Sequence, residues 1–170
     1  TGYRPLSSAQ TLRSKKTNFV GVIIPKINSD SISRMVSGIS SALSREGYQI
    51  LLACTENQEE EELRFLTLFR ENHVDGIILL GTIFTAEHRK ALRNLSVPIV
   101  ILSQYLKGYS CVYHNDYQAA RNLAEYLTKT GRRFGYLGVT RRDEAVGRER
   151  LRGVQDAVAA AGGFLPEGNI

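Results

Sequence analysis

One apolar run near the start of the chain, residues 19–25, constrains the fold most strongly. It is nearly continuous and rich in β-branched residues, which is typical of a strand buried on both faces of a parallel sheet. Pro25 ends the run, and a polar loop and an amphipathic helix over residues 31–46 follow. Ligands of open α/β sheets bind in the crevice at the carboxyl ends of the strands. We therefore expect the loop at 26–31 to form one wall of a binding site.

Strand and helix patterns alternate through the rest of the chain. Strands separated by helices of this length predict right-handed βαβ units and a parallel sheet. A looser segment near 103–116 separates the first four units from a new strand–helix series, which indicates one subdomain that is mostly present and a second that is only begun. Further strands are predicted at 49–54, 74–81, 97–102, 110–113 and 134–139, and further helices start near 58, 86, 116 and 148.

The composition is that of a globular protein. Of 170 residues, 42% are apolar and 23% are charged, and no apolar run approaches the roughly 18 residues of a membrane span. Cys54 and Cys111 lie in apolar, strand-like contexts without a metal-binding spacing. We predict that both are buried free thiols in a reducing cytoplasm.

Basic residues are concentrated at the start of the chain. Residues 1–17 carry four basic and no acidic residues, whereas the net charge of the whole chain is only +5. A basic arm before a nearly neutral globule favours a polyanion partner, although a solvated tail is the alternative. Pro5 can begin a helix over about 5–13, which is too short to be stable alone in water.

The sequence lacks the common signature motifs of enzymes. The first strand is not followed by a glycine-rich dinucleotide motif, and neither a P-loop nor a Gly-x-Ser-x-Gly elbow occurs. The histidines are scattered: we interpret His73 as a helix-end residue, His88 as a residue of a surface helix, and His114 as a cap neighbour that could face a cleft. We expect no enzyme activity, no cofactor and no metal, although a small α/β enzyme is a remaining alternative.

Polar side chains follow several of the predicted strands at their carboxyl ends. Hydroxyl, amide and cationic groups that converge on one crevice suit a sugar, and the cations also suit a phosphate or another anion. The candidate effector-binding residues are Lys26, Asn28, Ser31, Ser103, Gln104, Thr140, Arg148 and Arg150.

The sequence as a whole resembles the lactose/galactose-repressor family of bacterial transcription regulators. The similarity covers essentially all 170 residues, and the order and spacing of its short motifs make it specific. The motifs are Gly2-Tyr3-Arg4-Pro5, Leu12-Arg13-Ser14, Val20-Gly21-Val22-Ile23-Ile24-Pro25, Val74-Asp75-Gly76-Ile77-Ile78, Val97-Pro98-Ile99-Val100, Asn115-Asp116, Gly131-Arg132-Arg133 and Arg150-Leu151-Arg152-Gly153.

The resemblance implies a regulator that binds operator DNA and a sugar effector. Residues 1–17 would be a hinge or linker whose helix, at about 5–13, folds against DNA, and an N-terminal helix-turn-helix headpiece would precede residue 1. Leu12 occupies the family position that wedges into the minor groove, which fits the kinking of DNA by apolar wedges. The DNA-contacting residues implied are Tyr3, Leu12, Arg13 and Lys15, whose cations can meet phosphates.

The resemblance also implies a periplasmic-binding-protein-like (type I) sensor of two doubly wound subdomains. The first would span residues 18–115. Residues 116–170 would be the beginning of the second, which is incomplete. Effector would lie between the subdomains and bias a two-state arrangement. Arg150 matches the family arginine that binds effector, and the helix at 31–46 would form a homodimer.

Details of the loops resemble the branch that includes trehalose and sucrose repressors, some of which sense the sugar phosphate. In that case Lys26, Arg148 and Arg150 would be phosphate partners. Ser103 stands where some members place a sugar-binding aspartate, so that contact is altered in this chain. A transport-type periplasmic sugar-binding protein of the same architecture is the alternative function.

Overall fold

The computed structural model describes residues 16–131 and 133–170. The hinge helix predicted at about 5–13 lies outside these residues. The predicted DNA-contacting residues Tyr3, Leu12, Arg13 and Lys15 also lie outside them. Their roles therefore stay predictions.

A parallel sheet organises the chain and confirms the predicted α/β fold class. Its strands are β1 (Phe19–Ile24), β2 (Gln49–Cys54), β3 (Gly76–Leu79), β4 (Ile99–Leu102) and the short β5 (Ser110–Val112). The strand order is β2-β1-β3-β4-β5. β1 pairs in parallel with both β2 and β3, and β3 pairs in parallel with β4. This is the doubly wound order in which the chain reverses direction between β1 and β3.

The strands of the first half are connected by three helices, as predicted. They are α1 (Asp30–Arg45), α2 (Glu59–Glu71) and α3 (Ala86–Arg93). Four glutamates occupy the first turn of α2, where negative charge stabilises the helix dipole. A capping box formed by Thr85 and His88 begins α3.

The core of this half is the centre of the sheet. Every residue of β1 after Phe19 is buried, as expected for a strand that is covered on both faces. Ile77 and Leu79 of β3 and Ile101 of β4 are also buried, and α2 adds Leu66 and Phe69.

The second half is built on two packed helices. They are α4 (Asp116–Thr128) and α5 (Arg150–Ala160), and a single π-helical stretch, Glu144–Glu149, leads directly into α5. Gly153 lets the helices approach closely, because a Cβ at that position would collide with the carbonyl oxygen of Tyr117 in α4. Buried side chains of this half include Ala124, Leu151, Ala157 and Val158.

The strand predicted at 134–139 is wrong, because that segment has no regular secondary structure. A strand needs a neighbour for its backbone hydrogen bonds, and none of the described residues forms a ladder with it. Leu123 and Leu127, which the sequence pattern predicts to face inward from α4, are exposed for the same reason: no sheet lies beneath them in the described part of this half.

By its internal contacts the chain divides into two units, residues 1–101 and 102–170. This division precedes the boundary predicted at residue 115. The assignment of 18–115 and 116–170 to two sensor subdomains stays a prediction. We refer below to the first unit (residues 1–101) and the second unit (residues 102–170).

Both cysteines are free, as predicted. They are half-buried rather than buried, and the thiol of Cys54 donates to the carboxylate of Glu56 at 3.0 Å. Within residues 16–131 and 133–170, no helix is both long and apolar enough to cross a membrane. The same residues contain no group of three or more histidine, cysteine, aspartate and glutamate side chains that could hold a metal ion.

Candidate functional site

In the first unit, the strand order defines one candidate binding edge. The crevice at the carboxyl ends of the strands opens where the order reverses, between β1 and β3. Lys26 and Asn28 are exposed in the loop that leaves β1, and Ser31 is exposed at the start of α1. The hydroxyls of Ser29 and Ser31 lie 3.1 Å apart. The structure therefore places Lys26 and Asn28 in the loop and Ser31 in the first turn of α1, all at this edge.

The second unit contains a cavity of about 630 Å³. It lies beside the N-terminus of α4 and the π-helical stretch that precedes α5. Its volume falls in the range of small-molecule sites. Its lining combines aromatic rings with carboxylates and amides: Gln104, Tyr105, Tyr113, His114, Asn115, Asp116, Tyr117, Glu144, Ala145 and Glu149.

Arg150, the arginine predicted to bind effector, does not line this cavity but is ion-paired with a residue that does. Its Nε donates to Oδ1 of the cavity-lining Asp116 at 2.6 Å. Asp116 is buried, whereas the Arg150 side chain is 46% exposed. Asn115 caps α4, since its Oδ1 accepts from the backbone N–H of Gln118 at 3.0 Å. The helix start and the arginine thus hold Asp116 in a fixed position.

Gln104 is a predicted effector-binding residue that lines the cavity directly. It is buried, and its amide Nε2 donates to Oδ1 of Asp143 at 2.8 Å. The same Asp143 oxygen accepts from the backbone N–H of Val146 at 2.9 Å, so Asp143 also caps the π-helical stretch. Gly147 packs so closely on the Thr140 carbonyl that a Cβ at this position would collide with it.

The other predicted residues of the second unit have local roles in the structure. Arg148 donates to the Glu144 carboxylate at 3.1 Å and to the Arg141 carbonyl at 2.8 Å. Thr140 is exposed. Ser103 has a positive φ of 72° and donates from its backbone N–H to Val112. None of these three lines the cavity.

Sequence reasoning missed several lining residues. Asp116 is the first residue of α4, and an aspartate in a first helical turn gives no sign that it also lines a cavity. Tyr113 ends the strand predicted at 110–113, where nothing in the sequence marks it as a site residue. The expectation that His114 could face a cleft is confirmed.

His88 is buried, so its prediction as a surface histidine is wrong. Its Nε2 lies 3.3 Å from Oε1 of Glu62, and its Nδ1 lies 2.8 Å from the Thr85 hydroxyl. Burial raises the pKa of Glu62 to about 8, and burial lowers the pKa of His88. This pair joins α2 to α3 in the first unit and is a structural feature of the fold.

A known protein family matches most of the chain. Residues 17–167 match the family described as periplasmic binding proteins and sugar binding domain of LacI family. The chain is similar to the sucrose operon repressor of Staphylococcus xylosus, with 33% identity over 153 residues that cover 89% of this chain and 48% of that protein. The chain therefore spans about half the length of this curated relative.

Two solved structures have a similar fold. The transcription regulator CcpA of Lactococcus lactis aligns with a TM-score of 0.82 and 27% identity, covering 91% of this chain and 58% of that one. A complex of the transcriptional regulator CelR with cellobiose aligns with a TM-score of 0.77 and 27% identity, covering 91% of this chain and 50% of that one. The chain belongs to the family of periplasmic binding proteins and sugar-binding domains of LacI-type regulators.

Proposed function

We propose that this chain is the effector-sensing part of a sugar-responsive, DNA-binding transcription repressor. One observation carries the proposal: Asp116, which is ion-paired with Arg150, lines a cavity together with amide, carboxylate and aromatic groups. Such groups suit the hydroxyls of a sugar, because they offer both donors and acceptors in a partly desolvated place. The names of a similar sucrose operon repressor and of a similar regulator bound to cellobiose support a sugar effector.

Gln104 and Arg150 are the residues that we propose to contact the effector. Gln104 is held by Asp143, and Arg150 is held by Asp116, so both side chains are oriented before a ligand arrives. Orientation in advance reduces the entropy that is lost on binding. Effector contacts by the remaining candidates stay predictions: Lys26, Asn28, Ser31, Ser103, Thr140 and Arg148.

The proposed regulator acts in the cytoplasm as a homodimer on operator DNA. Residues 1–17 would contact the DNA, which their four cations without an acid support. The dimer would form through α1, where Met35, Val36 and Ile39 are only half-buried within the described part of one chain. A transport-type sugar-binding protein shares the family description, but that function gives no reason for the basic segment.

The experiment tests sugar response and DNA binding together. The full-length protein would first select its binding site from random double-stranded DNA. The affinity for the selected duplex would then be measured by fluorescence anisotropy with and without sucrose, trehalose and cellobiose. We expect one of these sugars to change the affinity by at least about fivefold, the low end of typical allosteric coupling.

Two variants make this experiment specific to the site. Arg150→Ala should abolish the response to the sugar. Arg89→Ala, which removes an exposed arginine of α3, should respond like the unmodified protein. Absence of any selected DNA site would contradict the regulator proposal, and a normal sugar response in Arg150→Ala would contradict the proposed effector site.

A further inference from the structure

Two tyrosines form an exposed aromatic pair at the cavity of the second unit. The rings of Tyr105 and Tyr113 are tilted by 52°, with their centroids 5.6 Å apart, which is a favourable separation for aromatic contact. Tyr105 is nevertheless 62% exposed and Tyr113 is 52% exposed. Both rings line the cavity, so they offer apolar faces to whatever enters it.

The charges around the cavity are already balanced by ion pairs. Three carboxylates line it, and each pairs with an arginine: Asp116 with Arg150, Glu144 with Arg148, and Glu149 with Arg152. No lysine or arginine is among the described residues that line the cavity. A phosphate would bring negative charge next to these carboxylates, and it would have to compete for arginines that they already hold.

The size of the cavity favours more than one sugar ring. Its volume of about 630 Å³ lies in the middle of the roughly 300–1,000 Å³ of small-molecule sites, which leaves room for two linked sugar rings. A second ring would then need an apolar surface for its C–H face, and the tyrosine pair supplies such a surface.

We propose that Tyr105 and Tyr113 form a stacking subsite that makes the cavity select an uncharged oligosaccharide over its phosphorylated form. The proposal rests on the proposed function, since it assumes that a sugar enters this cavity. The carboxylates accept hydrogen bonds from the hydroxyls of one ring, and the Gln104 amide can both donate to that ring and accept from it. The two tyrosines contact the other ring. The tyrosines therefore determine specificity. Arg150 donates to the sugar while it stays paired with Asp116, and neither Arg148 nor Arg150 is a phosphate ligand.

The test is isothermal titration calorimetry on the full-length protein with sucrose, trehalose, their 6-phosphates and glucose. We expect one neutral disaccharide to bind at least tenfold more tightly than its own 6-phosphate. Tyr105→Ala and Tyr113→Ala should each weaken that disaccharide about five- to tenfold, which corresponds to about 1 kcal/mol of lost stacking. The affinity for glucose should change less in these two variants, because a single ring can bind in the polar part of the cavity without contacting the tyrosines.

Matched variants distinguish a loss of affinity caused by lost stacking from one caused by a disturbed fold. Tyr105→Phe keeps the ring and should keep the affinity for the disaccharide. Tyr126→Ala removes a tyrosine of α4 that is equally exposed and lies outside the cavity lining, and it should bind like the unmodified protein. Thermal unfolding of each variant checks that the fold is intact.

The outcomes distinguish this proposal from the one on which it rests. Tighter binding of a 6-phosphate, or unchanged disaccharide affinity in both alanine variants, would overturn the stacking subsite while leaving a sugar sensor. Failure of every sugar to bind the unmodified protein would overturn the sugar-sensing function, and the subsite with it.

Discussion

At the scale of single residues, the buried Glu62–His88 pair gives the first unit a specific pH dependence. Glu62 and His88 are 6% and 1% exposed, and their facing atoms lie 3.3 Å apart. Glu59 and Glu60 of α2 and Glu87 of α3 add negative potential around them. With the pKa of Glu62 raised to about 8 and that of His88 lowered, the folded pair holds one proton near neutral pH.

The sign of the effect follows from the protons that each state binds. The ordinary pKa values are 4.5 for a glutamate and 6.5 for a histidine, so between pH 6.5 and 8 an unfolded chain binds at most about half a proton at these groups, and always less than the folded chain. Stability should therefore decrease as the pH rises from 6.5 towards 8. We expect a decrease of about 1–2 kcal/mol over this interval, measured by urea unfolding.

Glu62→Gln should remove that decrease, because the amide cannot lose a proton. Its stability should instead fall below pH 6.5, where only the unfolded chain protonates its histidine. Glu71→Gln, which changes an exposed carboxylate at the far end of the same helix, should behave like the unmodified protein. Equal slopes in all three proteins between pH 6.5 and 8 would contradict the assignment.

The sequence predicts little at this scale, for a physical reason. Helical periodicity identifies apolar faces, but a histidine at a polar position of an amphipathic helix looks the same whether it is exposed or buried. His88 is buried because Glu62 comes from a different helix to meet it. The contacts of Asp116 and Asp143 were likewise not predictable, since their partners Arg150 and Gln104 are 34 and 39 residues away in the chain.

At the scale of helices and strands, close approach of α4 and α5 sets the geometry of the second unit. Gly153 stands where α5 meets the backbone of Tyr117. Tyr117 also donates from its hydroxyl to Asp156 of α5 at 2.9 Å, and the Arg152 guanidinium lies 4.3 Å from its ring centroid. These contacts hold the N-terminus of α4, and with it Asp116, beside α5.

Gly153→Ala should push the helices apart. A Cβ would collide with the Tyr117 carbonyl oxygen, and overpacking of this kind costs about 1–3 kcal/mol. We expect a corresponding loss in the free energy of unfolding and weaker sugar binding, because Asp116 would move relative to Arg150. Gly168→Ala, at a position with open space in the same unit, is the control; an equal effect of both changes would contradict tight helix packing.

The elements of the first half were predictable because each carries its own signal. Apolar runs mark β1 to β4, and amphipathic periods with polar or acidic starts mark α1 to α3. The segment at 134–139 has the same apolar signal and is still not a strand. A strand is completed by its neighbours, so a local pattern alone does not establish it.

At the scale of the whole molecule, the proposed dimer can be tested apart from sugar binding. Val36 of α1 lies beside Ile50 and the exposed Leu52 of β2 in an apolar groove. A charge there would be buried without a partner if α1 forms the interface, at a cost of several kcal/mol. Val36→Glu should therefore convert the full-length dimer to a monomer in sedimentation velocity.

Ser41→Glu adds the same charge at an exposed position of α1 and should leave the dimer intact. A dimer that persists in Val36→Glu at micromolar concentration would contradict the assignment of α1 to the interface. Because the charge is added in the first unit, thermal unfolding of the variant must show that this unit stays folded.

The proposed sugar site of the second unit lies between the start of α4 and the π-helical stretch. Amide hydrogen exchange of the full-length protein, with and without saturating sucrose, trehalose or cellobiose, tests for this site. We predict that one of these sugars slows exchange at residues 104–117 and 143–150 and leaves α3 unchanged. If all three leave exchange in both segments unaltered, the site and the sensing role proposed for it are contradicted.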